Sequence, residues 1–172
     1  AIKLGYQYIG ISDHSKYLKI ERGLNERELL SQRKEIEKLN QKLKGKITIL
    51  QGVEANILGD GSLDIKDSVL KRLDYVIAGI HSHFKMTKEE MTRRIIKAMK
   101  NPYLKIISHP TGRILKRRDE YQIDFEKILR VAKERKIILE INSFPERLDL
   151  NDLNIKRAKE YGVKMVINSD AH

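Results

Sequence analysis

The regular alternation of two kinds of segment is the feature that most constrains the fold of this chain. Short runs rich in β-branched residues alternate with longer stretches that have helical periodicity. Such alternation is typical of α/β proteins whose strands are parallel, in a sheet or in a barrel. The expected strands are Tyr8–Ser12, Ile47–Gly52, Tyr75–Ile80, Lys105–Ser108, Ile137–Ile141 and Lys164–Asn168. The expected helices are Asn25–Lys44, Asp64–Leu73, Lys88–Met99, Asp124–Lys136 and Asp152–Tyr161.

Length and composition fit one domain that covers residues 1–172. The chain has 172 residues, 40% of them hydrophobic, which is enough for one substantial core. No apolar stretch approaches the roughly 20 residues that cross a bilayer, and no signal-like segment opens the chain. We therefore expect a cytoplasmic protein with no membrane partner. The Gly59–Gly61 segment predicts a turn before a helix capped by Ser62 or Asp64, and not a phosphate-binding loop.

Residue types that bind metals occur where the expected strands end. All five histidines of the chain have this position, and Glu54 closely follows the second expected strand. A carboxylate entering a barrel mouth is costly unless a cation or a hydrogen-bond donor accompanies it. Pro110 favours an extended backbone at His109. Because a parallel barrel gathers the C-terminal ends of its strands on one rim, we expect these side chains to meet there. The candidate ligands are His14, Glu54, His81, His109, Asp170 and His172.

The chemistry of these ligands limits the choice of metal. The chain has no cysteine, so a metal must be held by imidazole and carboxylate groups. Such ligands suit zinc, manganese or iron. Each residue alone also has a structural explanation, as a helix cap or a buried histidine, but their joint placement favours a polynuclear metal site.

The charge of the chain favours a phosphate-bearing partner without proving one. The formal net charge is +11, from 35 basic and 24 acidic residues, and a positive surface attracts polyanions. Much of the excess belongs to helix faces such as Arg27–Lys44, which are more often simply solvated. Lys116, Arg117 and Arg118 follow His109 in an expected rim loop, where they would contact a nucleic acid backbone. A charged start to the next helix explains these three residues equally well.

Six motifs in a fixed order make the chain similar to a known family. They are Gly10–Ser15, Gly52–Glu54, Ile80–Phe84, His109–Arg113, Leu139–Asn142 and Asn168–His172. Together they resemble the PHP (polymerase and histidinol phosphatase) domain, and most of all the PHP domain at the C-terminus of bacterial and archaeal family X DNA polymerases. The resemblance spans the whole chain. It implies a distorted (β/α)7 TIM-like barrel that holds up to three divalent metals.

The same resemblance implies that this barrel is incomplete at its N-terminus. The family opens with a strand that carries a His-x-His or His-x-Asp pair, followed by another His or Asp, and the sequence contains no counterpart of these ligands. We therefore expect the chain to be part of a longer protein, covalently linked to a polymerase domain. The missing ligands would belong to the first and third metals, so we expect incomplete metal loading.

Metal ligands and catalytic residues can be carried over from the family onto matching positions. The resemblance implies that Glu54 bridges two metals and that Asp170 helps to hold the first. Glu54, Asp170 and Arg113 are the expected catalytic residues, with the Arg113 guanidinium placed to contact a phosphate. The remaining implied ligands are His81 and His109 for the second metal and His14 and His172 for the third.

Other residues are expected to contact the substrate or to support the ligands. His83 shares a face with His81 and is expected to meet a substrate phosphate. Glu140 and Asn142 are expected to point into the barrel mouth, either to orient ligands or as a buried structural network. Arg147 lies in the region that resembles the PHP family and is expected near the substrate.

These observations predict a metal-dependent phosphoesterase, most specifically the 3′–5′ exonuclease module of a family X polymerase acting on DNA ends in repair. One alternative is a stand-alone PHP phosphatase for a small phosphomonoester such as histidinol phosphate. Another is a non-catalytic module that supports a polymerase. The run His109–Arg113 and the basic loop Lys116–Arg118 favour DNA.

Overall fold

A six-stranded parallel sheet forms the centre of the molecule. The structure, a computed structural model, describes residues 1–17 and 22–171. The sheet order is the order of the sequence, and every neighbouring pair is parallel. The strands are β1 (Tyr8–His14), β2 (Thr48–Asn56), β3 (Ile77–Gly79), β4 (Ile106–Ile107), β5 (Ile138–Asn142) and β6 (Met165–Asn168). The predicted α/β class and parallel sheet are confirmed, in the form of a half-barrel.

Five α-helices alternate with these strands. Asn25 and Thr87 begin α1 and α3 with capping boxes, in which a side chain and a glutamate three residues later satisfy free backbone N–H groups. The helices are α1 (Glu26–Lys42), α2 (Asp67–Leu70), α3 (Lys88–Met99), α4 (Phe125–Arg135) and α5 (Asp152–Glu160). A short 3-10 helix, Ile2–Leu4, precedes β1.

The second helix is much shorter than the sequence predicts. A helix from Asp64 was expected, yet α2 begins only at Asp67, and its N-cap is Lys66. Asp64 does not cap it, because its carboxylate accepts hydrogen bonds from Ser15 and Asn56 instead. The predicted cap and the predicted start of this helix are therefore wrong.

The core lies between the helices and the sheet. The apolar faces of α1, α3 and α4 are buried and join one cluster with the outward side chains of the central strands. Burial of such side chains contributes roughly 1.5–3 kcal/mol each and gives the sheet a rigid backing. Fully buried members include Leu29, Val53, Ala78, Met91, Ile95, Leu129 and Leu139.

Two glycines make room for a tyrosine in the half-barrel. A Cβ atom on Gly52 would lie 2.5 Å from the ring of Tyr75, and one on Gly10 would lie 2.6 Å from the Tyr75 hydroxyl. These distances are too short for any other residue without movement of the ring. Tyr75 therefore packs directly on the backbones of β1 and β2, and it lines a cavity of about 860 Å³ together with residues of β5 and β6.

A buried arginine connects the segments that follow β2 and β3. Arg94, on α3, is 2% exposed. Its guanidinium donates to the carbonyls of Leu58 at 2.8 Å and Ser82 at 2.9 Å, and also to the carbonyl of Ile57. Three backbone acceptors from two segments thus satisfy one buried cation, which fixes both segments relative to α3.

The outer strands are far more exposed than the central ones. In the described part of the chain, β1 and β6 each pair with a single strand. Tyr8 is 66% exposed and Ile167 is 71% exposed. No helix among the described residues has the length and apolar character needed to cross a membrane.

Candidate metal centre

Four of the six predicted ligands meet at the rim, which we define as the residues at and beyond the C-terminal ends of the strands. His14 is the last residue of β1 and pairs in register with Glu54 of β2. Glu54 lies two residues before the end of β2, which is longer than predicted. His81 follows β3, and His109 follows β4. The parallel register therefore brings side chains from four segments of the chain together.

Glu54 is the centre of this cluster. Its carboxylate lies 3.1 Å from His109 Nε2, 3.3 Å from His81 Nε2 and 3.7 Å from His14 Nδ1. The Ser108 hydroxyl donates to Glu54 Oε1 at 2.8 Å. Glu54 is only 8% exposed, so these contacts replace the water that a carboxylate otherwise requires.

The charges in the cluster are strongly coupled. Burial raises the pKa of Glu54, but the close approach of His109 and His81 outweighs it and holds that pKa well below the ordinary range. Burial lowers the pKa of His109, yet contact with Glu54 reverses the effect and raises it overall. Burial also lowers the pKa of His81, and there it prevails. These shifts favour the charged forms of Glu54 and His109 and the neutral form of His81.

The donor set suits a divalent cation. One ligand atom each from His14, Glu54 and His81 lies within 4.8 Å of the others, and all three residues are at least partly buried. His81 Nε2 and His109 Nδ1 are buried and have no hydrogen-bond partner among the described residues. A buried imidazole nitrogen with no partner and a buried carboxylate are what a bound zinc, manganese or iron ion would satisfy.

A second group of polar side chains lies on the β5–β6 side of the rim. Asp170 is 3.0 Å from Arg147 Nε and accepts a hydrogen bond from Asn142 at 2.8 Å. Glu140 accepts from the backbone N–H of His109 at 2.7 Å and from Asn168 at 2.7 Å. Asn142 and Glu140 thus contact candidate ligands and also hydrogen-bond to each other in one buried network, so both interpretations of the sequence fit these contacts.

Several residues of the rim, including three expected to bind metal or substrate, have left-handed backbone conformations. The φ angle is 28° at His109, 52° at Asp170 and 54° at His83. Such angles are uncommon for residues other than glycine and are concentrated at functional sites. The expected extended backbone at His109 is wrong. Its N–H is turned toward Glu140, and that buried hydrogen bond offsets the preference that Pro110 imposes.

The basic residues have more structural contacts than the sequence suggests. Arg113 donates to the carbonyls of Arg147, at 3.2 Å, and Leu148, and lies 4.0 Å from Glu120. The Arg118 guanidinium lies 4.0 Å from the centre of the Phe84 ring and donates to the Gly112 carbonyl. These contacts give Arg113 and Arg118 a role in fixing the loops of the rim.

The other expected substrate residues are more accessible. Lys116, Arg117 and His83 are exposed, and Arg117 forms an exposed ion pair with Glu146 at 3.5 Å. His172, an expected ligand of the third metal, lies outside the described residues.

Sequence reasoning missed three residues that support the ligands. Ser108 directly precedes His109 and reaches Glu54, and Asn56 contacts His81 at 2.6 Å. Asp64 holds Asn56 in turn. Asn56 lies two residues after Glu54, on the same face of β2, and this spacing was the available signal. Asp64 gave no such signal because it lies in a loop eight residues after Asn56, outside any strand or helix periodicity.

A parallel half-barrel with imidazole and carboxylate ligands on its rim defines an α/β protein with a candidate divalent-metal site. No family model matches the sequence. The DNA polymerase/3′-5′ exonuclease PolX of Bacillus subtilis is 46% identical over 171 residues, which is 99% of this chain and 30% of that protein. A probable phosphatase of Thermoanaerobacter is 42% identical over 144 residues, which is 78% of this chain and 56% of that protein. The chain thus spans between about a third and just over half of these relatives.

A solved structure agrees with these relatives at the level of the fold. The protein, assigned as a histidinol phosphatase of Listeria monocytogenes, superposes with a TM-score of 0.71 over 98% of this chain and 85% of its own, at 13% identity. The chain belongs to the PHP family and is similar to the PHP region of a family X DNA polymerase.

Proposed function

We propose that the chain is a metal-dependent phosphoesterase domain. The observation that carries the proposal is one buried carboxylate, Glu54, within 3.1–3.7 Å of three histidines at the rim of a parallel sheet. Divalent metals at such a site would activate water and neutralise charge on the attacking and leaving oxygens of a phosphoester. Phosphatases among the relatives support hydrolysis as the class of reaction.

The proposed metal ligands are chosen by the position of each side chain. Glu54 would be shared between metals, since its two oxygens face different imidazoles: Oε1 faces His81 and His109, and Oε2 faces His14. Asp170 would hold a further metal from the β6 side. His172 remains a proposed ligand on the grounds of sequence alone.

We also propose that the barrel has a seventh strand in the protein as a whole. The open half-barrel exposes apolar side chains on both outer strands, including Tyr8 and Ile167, and a cavity lies between residues of β1 and β6. A strand between β1 and β6 would cover these surfaces. It would also supply the ligands for which this sequence has no counterpart.

DNA is the proposed substrate, and removal of nucleotides from 3′ ends the proposed reaction. Support comes from the 46% identical PolX protein, which is named as a 3′-5′ exonuclease, and from the net charge of +11. Lys116 and Arg117 are exposed on the rim side of the sheet and would contact the phosphate backbone of a strand entering the site. Covalent linkage to a polymerase domain is proposed on the same similarity.

A small phosphomonoester is the second candidate substrate. The 42% identical relative is described as a phosphatase, and the solved structure of similar fold as a histidinol phosphatase. The same ligands would serve either substrate, because the transferred group is a phosphoryl group in both cases. The two candidate substrates differ in whether residues outside the metal cluster are needed to bind them.

Both candidates can be tested on the same preparation. The chain would be loaded with manganese, zinc or iron and assayed on a 3′-labelled single-stranded oligonucleotide and on p-nitrophenyl phosphate. Glu54→Gln should abolish activity on both, whereas Glu35→Gln, an equal charge change at an exposed position on α1, should not. Activity that survives Glu54→Gln would contradict the proposal.

The choice of substrate is tested by neutralising the basic loop. Lys116→Gln with Arg117→Gln should raise KM for the oligonucleotide and flatten its salt dependence, because fewer phosphates are neutralised. The same pair of changes should leave hydrolysis of the small ester unaltered. Equal effects on both substrates would argue against DNA as the preferred one.

A further inference from the structure

The two ring nitrogens of His81 have different surroundings. Nδ1 is 2.6 Å from the side-chain oxygen of Asn56, and Nε2 is 3.3 Å from Glu54 Oε1. An amide oxygen only accepts hydrogen bonds, so Nδ1 must carry the hydrogen in this contact. In neutral His81, Nε2 then presents a lone pair to Glu54. The orientation of the Asn56 amide therefore determines which nitrogen of His81 can bind a cation.

Asp64 fixes that orientation. Asn56 Nδ2 lies 3.0 Å from Asp64 Oδ2 and 2.7 Å from Ser15 Oγ. The carboxylate accepts only, and Ser15 already donates its own hydrogen to Asp64 Oδ2 at 2.6 Å. Both neighbours thus require the NH2 group of Asn56 on their side. Asn56 is 1% exposed and Ser15 is fully buried, so water does not replace these partners.

This arrangement leaves the metal-facing side of His81 unsatisfied. Nε2 has no hydrogen-bond partner among the described residues, and its lone pair faces a carboxylate oxygen 3.3 Å away. Two lone pairs at this distance repel each other, and a cation bound to both removes the repulsion. The polar contacts of Asn56 therefore favour a state of His81 in which Nε2 is satisfied by a bound metal ion or by a proton held between it and Glu54.

We propose that Asp64 is a positioning residue: through Asn56 it fixes neutral His81 in the Nδ1–H tautomer and so directs Nε2 toward a divalent cation at Glu54. The inference rests on the proposed metal centre. It assigns a function to a residue that contacts no ligand and that lies outside the six sequence motifs. Groups that orient a metal-binding histidine commonly change metal affinity by about 10–100-fold when they are removed.

Asp64→Asn should reverse the tautomer. The new amide can still accept from the Asn56 backbone N–H, as Asp64 Oδ1 does at 2.9 Å. Its NH2 group would then face that of Asn56, and two donors cannot pair. Rotation of the Asn56 amide relieves this conflict and turns its NH2 group toward His81 Nδ1. His81 would then carry its hydrogen on Nε2 and could no longer bind a cation there.

A double variant provides the rescue. Asn56→Asp combined with Asp64→Asn exchanges the two groups, so that a carboxylate accepts from His81 Nδ1–H and an amide donates to that carboxylate. This variant should recover the Nδ1–H tautomer and zinc affinity to within a few-fold of the original. Asp60→Asn is the matched control, because Asp60 lies in the same loop but bonds only to Ser62 and Lys97.

The experiment combines nitrogen-15 NMR of the histidine rings with zinc titration against a chromophoric chelator. NMR on metal-free protein reads the tautomer directly, and His81→Asn identifies the relevant signals. We expect Nδ1–H in the original chain, Nε2–H in Asp64→Asn with about 10–100-fold weaker zinc binding, and recovery in the double variant. Thermal unfolding of each variant separates loss of the fold from loss of positioning.

Three outcomes would overturn the inference. They are an Nε2–H tautomer in the original chain, an unchanged tautomer in folded Asp64→Asn, and unchanged zinc affinity despite a reversed tautomer. Failure of the original chain to bind zinc, manganese or iron would refute the proposed metal centre itself. In that case the tautomer result still reports separately on whether Asp64 acts through Asn56.

Discussion

The central strands β2 to β5 and the outer strands β1 and β6 differ in how far their residues are exposed to solvent. Glu54 and His109, from the central part, are 8% and 1% exposed, whereas Tyr8 and Ile167 of the outer strands are 66% and 71% exposed. Distances to Glu54 follow the same division: 3.1 and 3.3 Å for the two central histidines, and 3.7 Å for His14 of β1. The central region therefore supplies the histidines closest to Glu54, and His14 of β1 completes the set from a greater distance.

The largest expected effect is the difference in zinc affinity between loss of a central ligand, Glu54, and loss of an outer one, Asp170. Glu54→Gln should weaken zinc binding by more than about 100-fold, beyond the range typical of supporting residues, because all three histidines depend on that carboxylate. Asp170→Asn should weaken it less, since the amide keeps one oxygen and Arg147 loses only part of its contact. Chelator competition measures both. Equal losses would show that the two regions contribute equally.

The two glycines that contact Tyr75, Gly52 on β2 and Gly10 on β1, test whether central and outer strands also differ in how tightly they pack. Gly52→Ala places a Cβ 2.5 Å from the tyrosine ring and should lower the free energy of unfolding by about 1–3 kcal/mol. Gly10→Ala meets the hydroxyl end of that side chain, which can move into the cavity, so a smaller loss is expected. Denaturant unfolding gives both values, and a greater loss for Gly10→Ala would reverse the comparison.

The pH dependence of zinc binding reports on the central ion pair. Contact with Glu54 raises the pKa of His109 above its ordinary value of 6.5 despite burial, so metal-free protein holds this proton to a higher pH than a free imidazole does. Zinc must displace it. The dissociation constant should therefore fall about tenfold per pH unit below the raised pKa and level off above it. Titrations from about pH 6 to 8 measure the slope, and a pH-independent constant would contradict this assignment.

The smallest expected effect concerns the outer surface alone. Ile167→Lys replaces an apolar side chain that is 71% exposed, so stability should change by less than about 0.5 kcal/mol. The added charge should reduce self-association, because exposed apolar residues on an unpaired strand edge promote it. Thermal unfolding and sedimentation at several concentrations measure the two quantities. A large loss of stability would mean that β6 is as tightly packed as the central strands.

Much of the fold follows from local sequence patterns, because strand and helix periodicities are local properties. All six predicted strands and all five predicted helices form, within a few residues of their expected bounds apart from α2. The rim cluster of His14, Glu54, His81 and His109 also follows, since parallel strands end on the same side.

The failures of prediction all involve contacts between distant residues. Ser62 or Asp64 was expected to cap a helix, but the Asp64 carboxylate accepts hydrogen bonds from Asn56 and from Ser15, which is 49 residues away. His109 was expected to be extended, but a hydrogen bond to Glu140 holds it at positive φ. Local propensities do not encode these hydrogen bonds between distant residues, so the bonds become visible only in the folded chain. Lys116 and Arg117 remain predicted substrate contacts.

The order of the strands in the sheet has a consequence for how the protein is made. Each strand from β2 onward pairs with the strand that precedes it in the sequence, so its partner has already left the ribosome when it emerges. The ligands His14, Glu54, His81 and His109 are synthesised in the order in which they lie along the rim. The part of the site formed by these four ligands can therefore assemble step by step during translation. None of the four has to wait for a segment that is synthesised much later.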